Sequence, residues 1–332
     1  MRASFIITNH NYARYVDQAI TSCLHQTHDD VEIVVVDDGS TDDSRDVIAS
    51  FGPAVTAVFQ DNQGQAAAFN AGFAAATGEL VCLLDADDLA TPERAARAVA
   101  LVAGRPTAGW LFHQLTPVDA DDQPLGEARR ATSAAHQPTG SPTAPPVDVD
   151  WRPHAAAGKL NAHLPFPLPA TSGLCLRADL VARLAPLPVH PGILINDNYI
   201  KFAALGLCPG VMVDEELGRQ RLHGANQLTS TAEGGARLAA VDATTALELM
   251  RHGLGSPRFN DNLVAQALHL LYRSGNDSPA ATTALDHYLA ACGPRRRRRI
   301  HARRYLYRIR SRLRREPPPN SLPPGVERAA SC

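Results

Sequence analysis

Leu80-Val81-Cys82-Leu83-Leu84-Asp85-Ala86-Asp87-Asp88 decides the reading of the fold. Five apolar residues in a row fit a strand buried on both faces. Three carboxylates follow at once. In an open α/β sheet, ligands bind outside the carboxyl ends of the strands, so charged chemistry belongs at this point of the chain. Carboxylates crowded together repel one another and raise their own pKa values unless a cation neutralises them. Their hard oxygens suit Mg²⁺ or Mn²⁺, ions that commonly take phosphate oxygens as further ligands. Asp85-x-Asp87 therefore points to a metal–diphosphate site. The alternative is a solvated turn that caps a helix starting near Pro92.

Around this stretch, strand and helix patterns alternate. Residues 3–7 read as a first strand, and 15–26 carry Val16, Ala19, Ile20, Cys23 and Leu24 at helical spacing. Residues 32–36 form a second strand that runs into Asp37-Asp38-Gly39-Ser40, and Thr41-Asp42-Asp43 reads as a helix start. A third strand at 55–59, an Ala-rich helix at 65–76 closed by Gly78, and a fifth strand at 109–114 complete the pattern. The order implies an α/β fold, a Rossmann-like, mostly parallel sheet flanked by helices. In such a sheet the first, second and fourth strands end on one rim. That rim gathers Thr8-Asn9-His10-Asn11-Tyr12, the Asp37/Asp38 pair and Asp85/Asp87/Asp88. A carboxylate there can accept from a pyrimidine N3–H or ribose hydroxyls, and an aromatic or imidazole ring can stack on a base. No Gly-x-Gly-x-x-Gly follows the first strand, which argues against a dinucleotide site.

Later segments change character. Residues 117–150 include Gln137-Pro138-Thr139-Gly140-Ser141-Pro142 and read as a long flexible loop, a candidate lid or specificity element. A strand at 171–176, a helix at 197–205 and a short strand near 211–213 follow, and 232–292 reads as helical. The expected organisation is a domain over 1–230, a C-terminal helical appendage over 231–294, and a basic helix with a Pro-rich tail over 295–332. The formal net charge of −2 hides an asymmetry: residues 295–332 hold 13 of the 32 Lys and Arg but two of the 34 acids. Within 295–315, twelve arginines are interleaved with Ile300, Tyr305, Leu306, Tyr307, Ile309 and Leu313. An anionic membrane surface, nucleic acid, or the acidic body of the chain itself could answer that charge, with nucleic acid the least favoured partner. No apolar stretch approaches the roughly 20 residues of a membrane span, and the N-terminus reads as a strand rather than a signal peptide. The six cysteines are scattered, the pattern of reduced, mostly buried thiols. These features fit a cytoplasmic protein, peripheral at the inner face of the membrane if the arginines contact lipid.

The motifs together resemble glycosyltransferase family 2. The resemblance rests on Ile6-Ile7-Thr8-Asn9-His10-Asn11-Tyr12, Leu24-His25-Gln26-Thr27 and Val35-Val36-Asp37-Asp38-Gly39-Ser40-Thr41-Asp42. It continues through Asn62-x-Gly64, Asn70-x-Gly72, Thr77-Gly78-Glu79 and Asp85-Ala86-Asp87-Asp88. It is strong over 3–115, weaker over 170–230 and absent from the last hundred or so residues. It implies a GT-A fold, a nucleotide-diphosphate sugar donor (a UDP-sugar first), a divalent metal (Mn²⁺ or Mg²⁺) and inversion at the anomeric carbon. By the same resemblance, Thr8, His10, Asp37 and Asp38 hold the base and ribose, and Asp85 lies near ribose and donor sugar. Asp87 is the foremost metal ligand, with Asp88 beside it. Ile195-Asn196-Asp197-Asn198-Tyr199 resembles the family's acidic site at a helix start and makes Asp197 the catalytic base, unless it merely caps that helix. Arg221-Leu222-His223-Gly224-Ala225-Asn226 resembles the family's Arg-x-His-x-x-Asn segment. It gives Arg221 to the phosphates and His223 to the metal shell or diphosphate. The small residues Thr171-Ser172-Gly173 permit close approach of donor sugar and acceptor, or simply a tight strand entry.

Three positions depart from the family pattern: Thr8 in place of proline, His10 in place of an aromatic residue, and Phe69 in place of a basic one. The Gln-x-x-Arg-Trp motif of processive synthases is absent. The expected reaction is thus transfer of a single sugar to a glycan or lipid-linked acceptor in surface polysaccharide, glycolipid or glycoprotein assembly. Two alternatives remain at this point. A sugar-phosphate nucleotidyltransferase would carry a Gly-rich basic loop after the first strand, which is missing. A non-catalytic nucleotide- or nucleic-acid-binding module would make Asp87 and Asp197 dispensable.

Overall fold

The computed structural model describes residues 1–125, 144–159, 164–190, 196–223, 234–275 and 277–313. They fall into two compact units, drawn from 1–155 with 161–229 and from 156–160 with 230–332.

In the first unit, β1 (Ala3–Asn9), β2 (Val31–Asp38), β3 (Thr56–Gln60) and β4 (Leu80–Asp85) alternate with α1 (Ala13–Leu24), α2 (Ser44–Ser50) and α3 (Gln65–Ala75). The strands lie in the order β3-β2-β1-β4, all parallel. Both faces are apolar because both are covered. Phe5 and Ile7 share one core with Val16, Ala19 and Ile20 of α1 and with Ala95 and Ala98 of α4 (Arg94–Ala103). On the other face α3 comes so close that a Cβ on Gly72 would lie 2.4 Å from Ile6 Cγ2. Each fully buried aliphatic or aromatic side chain contributes about 1.5–3 kcal/mol, and β1 is buried along its whole length.

Beyond β4 the sheet is mixed. It continues through β5 (Leu89–Ala90), β6 (Trp110–Val118), β7 (Val147–Val149), β8 (Leu174–Arg177) and β9 (Gly210–Arg221). The complete order is β3-β2-β1-β4-β8-β6-β9-β5, with β7 against β9. β8 runs antiparallel to both β4 and β6, whereas β6 and β9 are parallel. A mostly parallel sheet thus describes the first four strands, and the later ones mix directions. The reason is chain path: β8 returns after a long excursion from β6, free of the short helical crossover that enforces parallel pairing.

Strand β9 is far longer than the short strand expected near 211–213, because it stays paired with β6 as far as Val118↔Arg221 and its polar side chains find partners. Arg97 Nη2 bonds Glu215 Oε1 at 2.6 Å, and Thr116 Oγ1 donates to Glu216 at 2.6 Å. This length carries Arg221 to the rim of the sheet. The expected loop over 117–150 is bounded by β6 and β7, and its residues 126–143 lie outside the described residues. Short helices α5 (Arg152–Ala157) and α6 (Ala178–Leu184) and the longer α7 (Asn196–Leu207) complete the unit.

The second unit consists of helices α8 (Gly234–Arg251), α9 (Pro257–Arg273), α10 (Pro279–Ala290) and α11 (Pro294–Leu313). Ser256 and Ser278 cap α9 and α10, accepting from Phe259 N at 3.1 Å and Ala281 N at 3.3 Å. A proline at the first position follows each cap, where its missing N–H costs nothing. The tail after Leu313 lies outside the described residues. Among the described residues no helix is long and apolar enough to cross a membrane, and Cys23, Cys82, Cys175, Cys208 and Cys292 are free thiols.

Candidate active site

Register places the rim. Thr8 pairs with Val36 on one side and Asp85 on the other, and Asn9 pairs with Asp37. The carboxyl ends of β1, β2 and β4 therefore lie level. At the start of α3, Gln65 bridges them: its Nε2 donates to Asp85 Oδ1 at 2.6 Å and to Thr8 Oγ1 at 3.3 Å.

The Asp37/Asp38 cluster is rich in donors. Asp37 accepts from Asn9 Nδ2 at 2.9 Å, Arg45 Nε at 2.8 Å and Ser40 N at 3.1 Å. Burial works to raise its pKa, but hydrogen bonds from Ser40, Arg45 and Asn9 outweigh it and hold the carboxyl below its usual value. Asp38 Oδ1 accepts from Gln60 Nε2 at 2.7 Å and Gln63 N at 2.9 Å, and Oδ2 accepts from Gly64 N at 2.7 Å. The turn that follows needs Gly39, whose φ is +73° and whose side would leave a Cβ 2.5 Å from Asn62 N. His10 Nδ1 donates to the Asp38 carbonyl at 2.8 Å, and Asn62 Nδ2 donates to His10 Nε2 at 3.2 Å. The imidazole is thereby fixed in one tautomer beside Asp38.

The Asp85/Asp87/Asp88 cluster is its opposite. Burial, then the charges of Asp87 and Asp197, push the Asp85 pKa up to about 8. Burial and the charges of Asp87 and Asp85 push Asp88 well above its usual value. Asp88 nonetheless has both oxygens engaged: Ser172 Oγ donates to Oδ2 at 2.6 Å, and Arg221 N donates to Oδ1 at 2.9 Å. Ser172 Oγ in turn accepts from Asp85 N at 3.0 Å. Asp88, expected as a second metal ligand, thus ties the end of β4 to β9.

Asp87 faces a different neighbour, with its Oδ2 3.0 Å from His223 Nε2. His223 stacks on Tyr15, ring centroids 5.0 Å apart, and meets Tyr12 edge-on at 5.8 Å. Burial and the three aspartates hold the Tyr12 hydroxyl protonated, its pKa raised. Arg221, expected on phosphate, is buried instead. Its Nη2 donates to Gln18 Oε1 at 2.8 Å, and its guanidinium lies over the Tyr15 ring at 4.7 Å. Residues Gly224 to Asn226 of its motif lie outside the described residues.

Asp197 sits in the first turn of α7, which begins one residue earlier. Its charge is felt at Asp85, so the second half of the unit brings it toward the same rim. Asp197 Oδ2 pairs with Lys201 Nζ at 2.9 Å, and Oδ1 accepts from Asn198 N at 2.7 Å. Lys201 is itself buried and also donates to the Pro169 carbonyl at 3.1 Å.

Comparison with known proteins shows the family and the fold. The model of glycosyl transferase family 2 matches residues 4–127. An uncharacterized glycosyltransferase of Nostoc sp. is 38% identical over 236 residues, covering 70% of this chain and 68% of that protein. The chain belongs to glycosyltransferase family 2.

Glycosyltransferase GlyG of Streptococcus pneumoniae is 36% identical over 90 residues, which span 26% of this chain and only 30% of that protein. Among solved structures, S. aureus TarS 1–349 in complex with UDP-GlcNAc has a TM-score of 0.62 at 16% identity, covering 95% of this chain and 93% of that one. The mannosyltransferase PcManGT from Pyrobaculum calidifontis, in complex with GDP-Man and Mn²⁺, has a TM-score of 0.51 at 20% identity, covering 96% of this chain and 81% of that one. These likenesses show a GT-A fold. As a family 2 glycosyltransferase the protein is an enzyme, which sets aside the nucleotidyltransferase and the non-catalytic module.

In this glycosyltransferase the residues singled out from sequence are linked. Thr8 and Asp85 meet through Gln65, His10 bonds the Asp38 backbone, Asp87 meets His223, and Asp88 holds the Arg221 backbone. Sequence reasoning missed Gln65, the Ser172 hydroxyl, Tyr15 and Lys201. For Lys201 a signal existed, since it lies four residues after Asp197 on one helix. Ser172 gave none, because its partner Asp88 is 84 residues away.

Proposed function

We propose that this family 2 glycosyltransferase moves one sugar, with inversion, from a UDP-sugar to an acceptor hydroxyl of a surface polysaccharide, glycolipid or glycoprotein. The Asp87–His223 pair at the crowded rim carries this reading. Their ligand atoms are 3.0 Å apart, about the edge of an octahedron with metal–ligand bonds of about 2.1 Å. Among the described residues no group of three or more His, Cys, Asp or Glu is arranged to hold a metal ion. Two protein ligands suit Mg²⁺ or Mn²⁺, which keep positions for phosphate oxygens and water. Bound there, the ion would offset charge gathering on the departing diphosphate. That TarS and PcManGT were solved with UDP-GlcNAc and with GDP-Man and Mn²⁺ supports a nucleotide-sugar donor and a metal.

The protein's own residues divide the remaining work. Asp38 Oδ2 accepts one hydrogen bond, from Gly64 N, and a carboxylate oxygen can take a second. That spare site suits the N3–H of uracil, with the fixed His10 ring against the base. Thr8 and Asp85 take the ribose and donor sugar. Asp37, held by Asn9, Ser40 and Arg45, shapes the turn beneath the base, and Asp88 and Arg221 position the end of β9 beside the metal ligands. Asp197 accepts the proton of the acceptor hydroxyl as that oxygen bonds to the anomeric carbon and the bond to diphosphate breaks. Lys201 holds Asp197 in place by one oxygen.

Donor turnover over a panel of UDP- and GDP-sugars, with Asp197→Asn beside the wild type, tests this reading. Loss of the base should lower kcat by about 10²–10⁴ while the thermal shift given by donor and Mn²⁺ stays. Unchanged turnover in Asp197→Asn would move the base elsewhere. A wild type that no nucleotide sugar stabilises would overturn the donor assignment.

A further inference from the structure

We propose that the outward face of α11 docks this protein on an anionic bilayer surface. The structure sorts the arginines of this helix into two sets that the sequence leaves mixed. The inner set is paired within its own unit. Arg296 Nε lies 2.7 Å and Arg299 Nη2 3.3 Å from the buried carboxylate of Asp261, which Tyr288 Oη also reaches at 3.0 Å. Arg303 donates to Asn262, and Arg304 covers the Tyr272 ring at 5.3 Å. Ile300 is fully buried on the same side. These contacts fasten the helix to α9 and α10 and account for that part of its charge.

The outer set has no such partners. Arg295, Arg298, Ala302, Tyr305 and Ile309 follow one another at spacings of three and four residues, so they form one stripe along the helix, and every one of them is exposed. Arg295 and Arg298 make no hydrogen bond, ion pair or ring contact among the described residues. Tyr305, its neighbour Leu306, and Ile309 are 62%, 55% and 42% exposed. Three large apolar side chains left together in water on a helix dense in arginine need a partner that is apolar and anionic at once. No acid lies between residues 295 and 315 to oppose it.

An anionic bilayer meets both demands. Arginines seek its headgroups, tyrosine settles at headgroup level, and leucine and isoleucine enter the acyl boundary. Nucleic acid would answer the arginines, but its phosphates offer nothing to Leu306 and Ile309. The proposal stands apart from the donor site and does not depend on which sugar is moved. It places the enzyme at the surface on which a lipid-linked acceptor would be found.

The test is flotation of the full chain with vesicles of phosphatidylcholine alone and of phosphatidylcholine mixed with phosphatidylglycerol. Binding to the mixed vesicles only, weakened by salt, is expected. Each arginine near an anionic surface is worth about fivefold in affinity, so R295Q/R298Q should weaken binding by about 30-fold. L306S/I309S removes the apolar part and should weaken it by about tenfold or more. Circular dichroism and Tm of both variants should stay close to the wild type, since all four residues are exposed. Arg296→Gln, which breaks the inner pair, should lower Tm instead.

Absence of vesicle binding by the wild type overturns the proposal without any variant. So does equal binding to both vesicles, or folded outward-face variants that bind as the wild type does. Binding of duplex DNA or RNA that R295Q/R298Q abolishes, with vesicles ignored, would assign the face to nucleic acid.

Discussion

Asp37/Asp38 and Asp85/Asp87/Asp88 look alike in sequence, each a carboxylate run at the end of a buried parallel strand, yet their surroundings are opposite. Around the first, Asn9, Ser40, Arg45, Gln60, Gln63 and Gly64 all donate, and the Asp37 pKa falls. Around the second, like charges face one another, and Asp85 is pushed up to about 8. One cluster is supplied with donors throughout, with a single acceptor position left on Asp38 Oδ2. The other is short of positive charge, the condition that a cation relieves. What separates the two runs is the supply of donors around each, which for Asp37 and Asp38 comes both from near neighbours such as Ser40 and Arg45 and from Asn9, Gln60, Gln63 and Gly64 farther along the chain.

The largest expected effect of breaking this contrast falls on the second cluster. Asp87→Ala should reduce sugar transfer by about 10³ or more, by removing the metal's carboxylate ligand, with little loss of Tm. A donor-turnover assay beside a melting curve checks both halves. In the first cluster the expectation reverses. Asp37→Ala removes the acceptor that Asn9 Nδ2, Ser40 N and Arg45 Nε share and should cost about 1–3 kcal/mol, seen as a lower denaturant midpoint.

Acid should sharpen the same difference. The folded pKa of Asp37 is depressed, so its stabilisation is complete above the unfolded value near 3.9 and is lost as pH falls through the folded one. Asp37→Asn, compared by acid titration of unfolding, should show a shallower decline below about pH 4.

Lys201→Gln should lower kcat by about tenfold with donor KM unchanged, as the proposed base Asp197 loses the partner that orients it at 2.9 Å. Lys201→Arg should restore part of the rate; a purely structural lysine would change Tm without changing kcat.

A separate pH effect belongs to Asp85 in chelator-treated protein. Its folded pKa is raised to about 8, so stability should decline as pH rises from about 4 toward that value. Asp85→Asn should remove the decline, raising Tm at pH 8 by a few degrees and leaving it nearly unchanged near pH 4.

Much of this architecture is legible in sequence because it is local. The apolar runs at 80–84 and 32–36, their helices between, and the level ends of β1, β2 and β4 follow from periodicity and short crossovers. The insertion of β8 between β4 and β6 is not legible, since nothing near Leu174–Arg177 states which strand it will join. The acidic middle of β9 hid its length, which its backbone pairing with β6 sustains while Arg97 and Thr116 answer its carboxylates. In the site, the carboxylates and histidines that stand out in sequence are joined by side chains that do not, Gln65 and Ser172 among them. Ser172 reads as a small residue until its hydroxyl meets Asp85 and Asp88. Arg221 reads as a phosphate ligand until Gln18 and Tyr15 surround it.

Calorimetric titration of UDP into the protein, with Mn²⁺ or with chelator, in wild type and Asp87→Ala, tests the central claim most directly. UDP should bind the wild type only with Mn²⁺, and Asp87→Ala should abolish this binding while Asp88→Asn, if folded, retains it. UDP binding that ignores both the chelator and Asp87→Ala would contradict it.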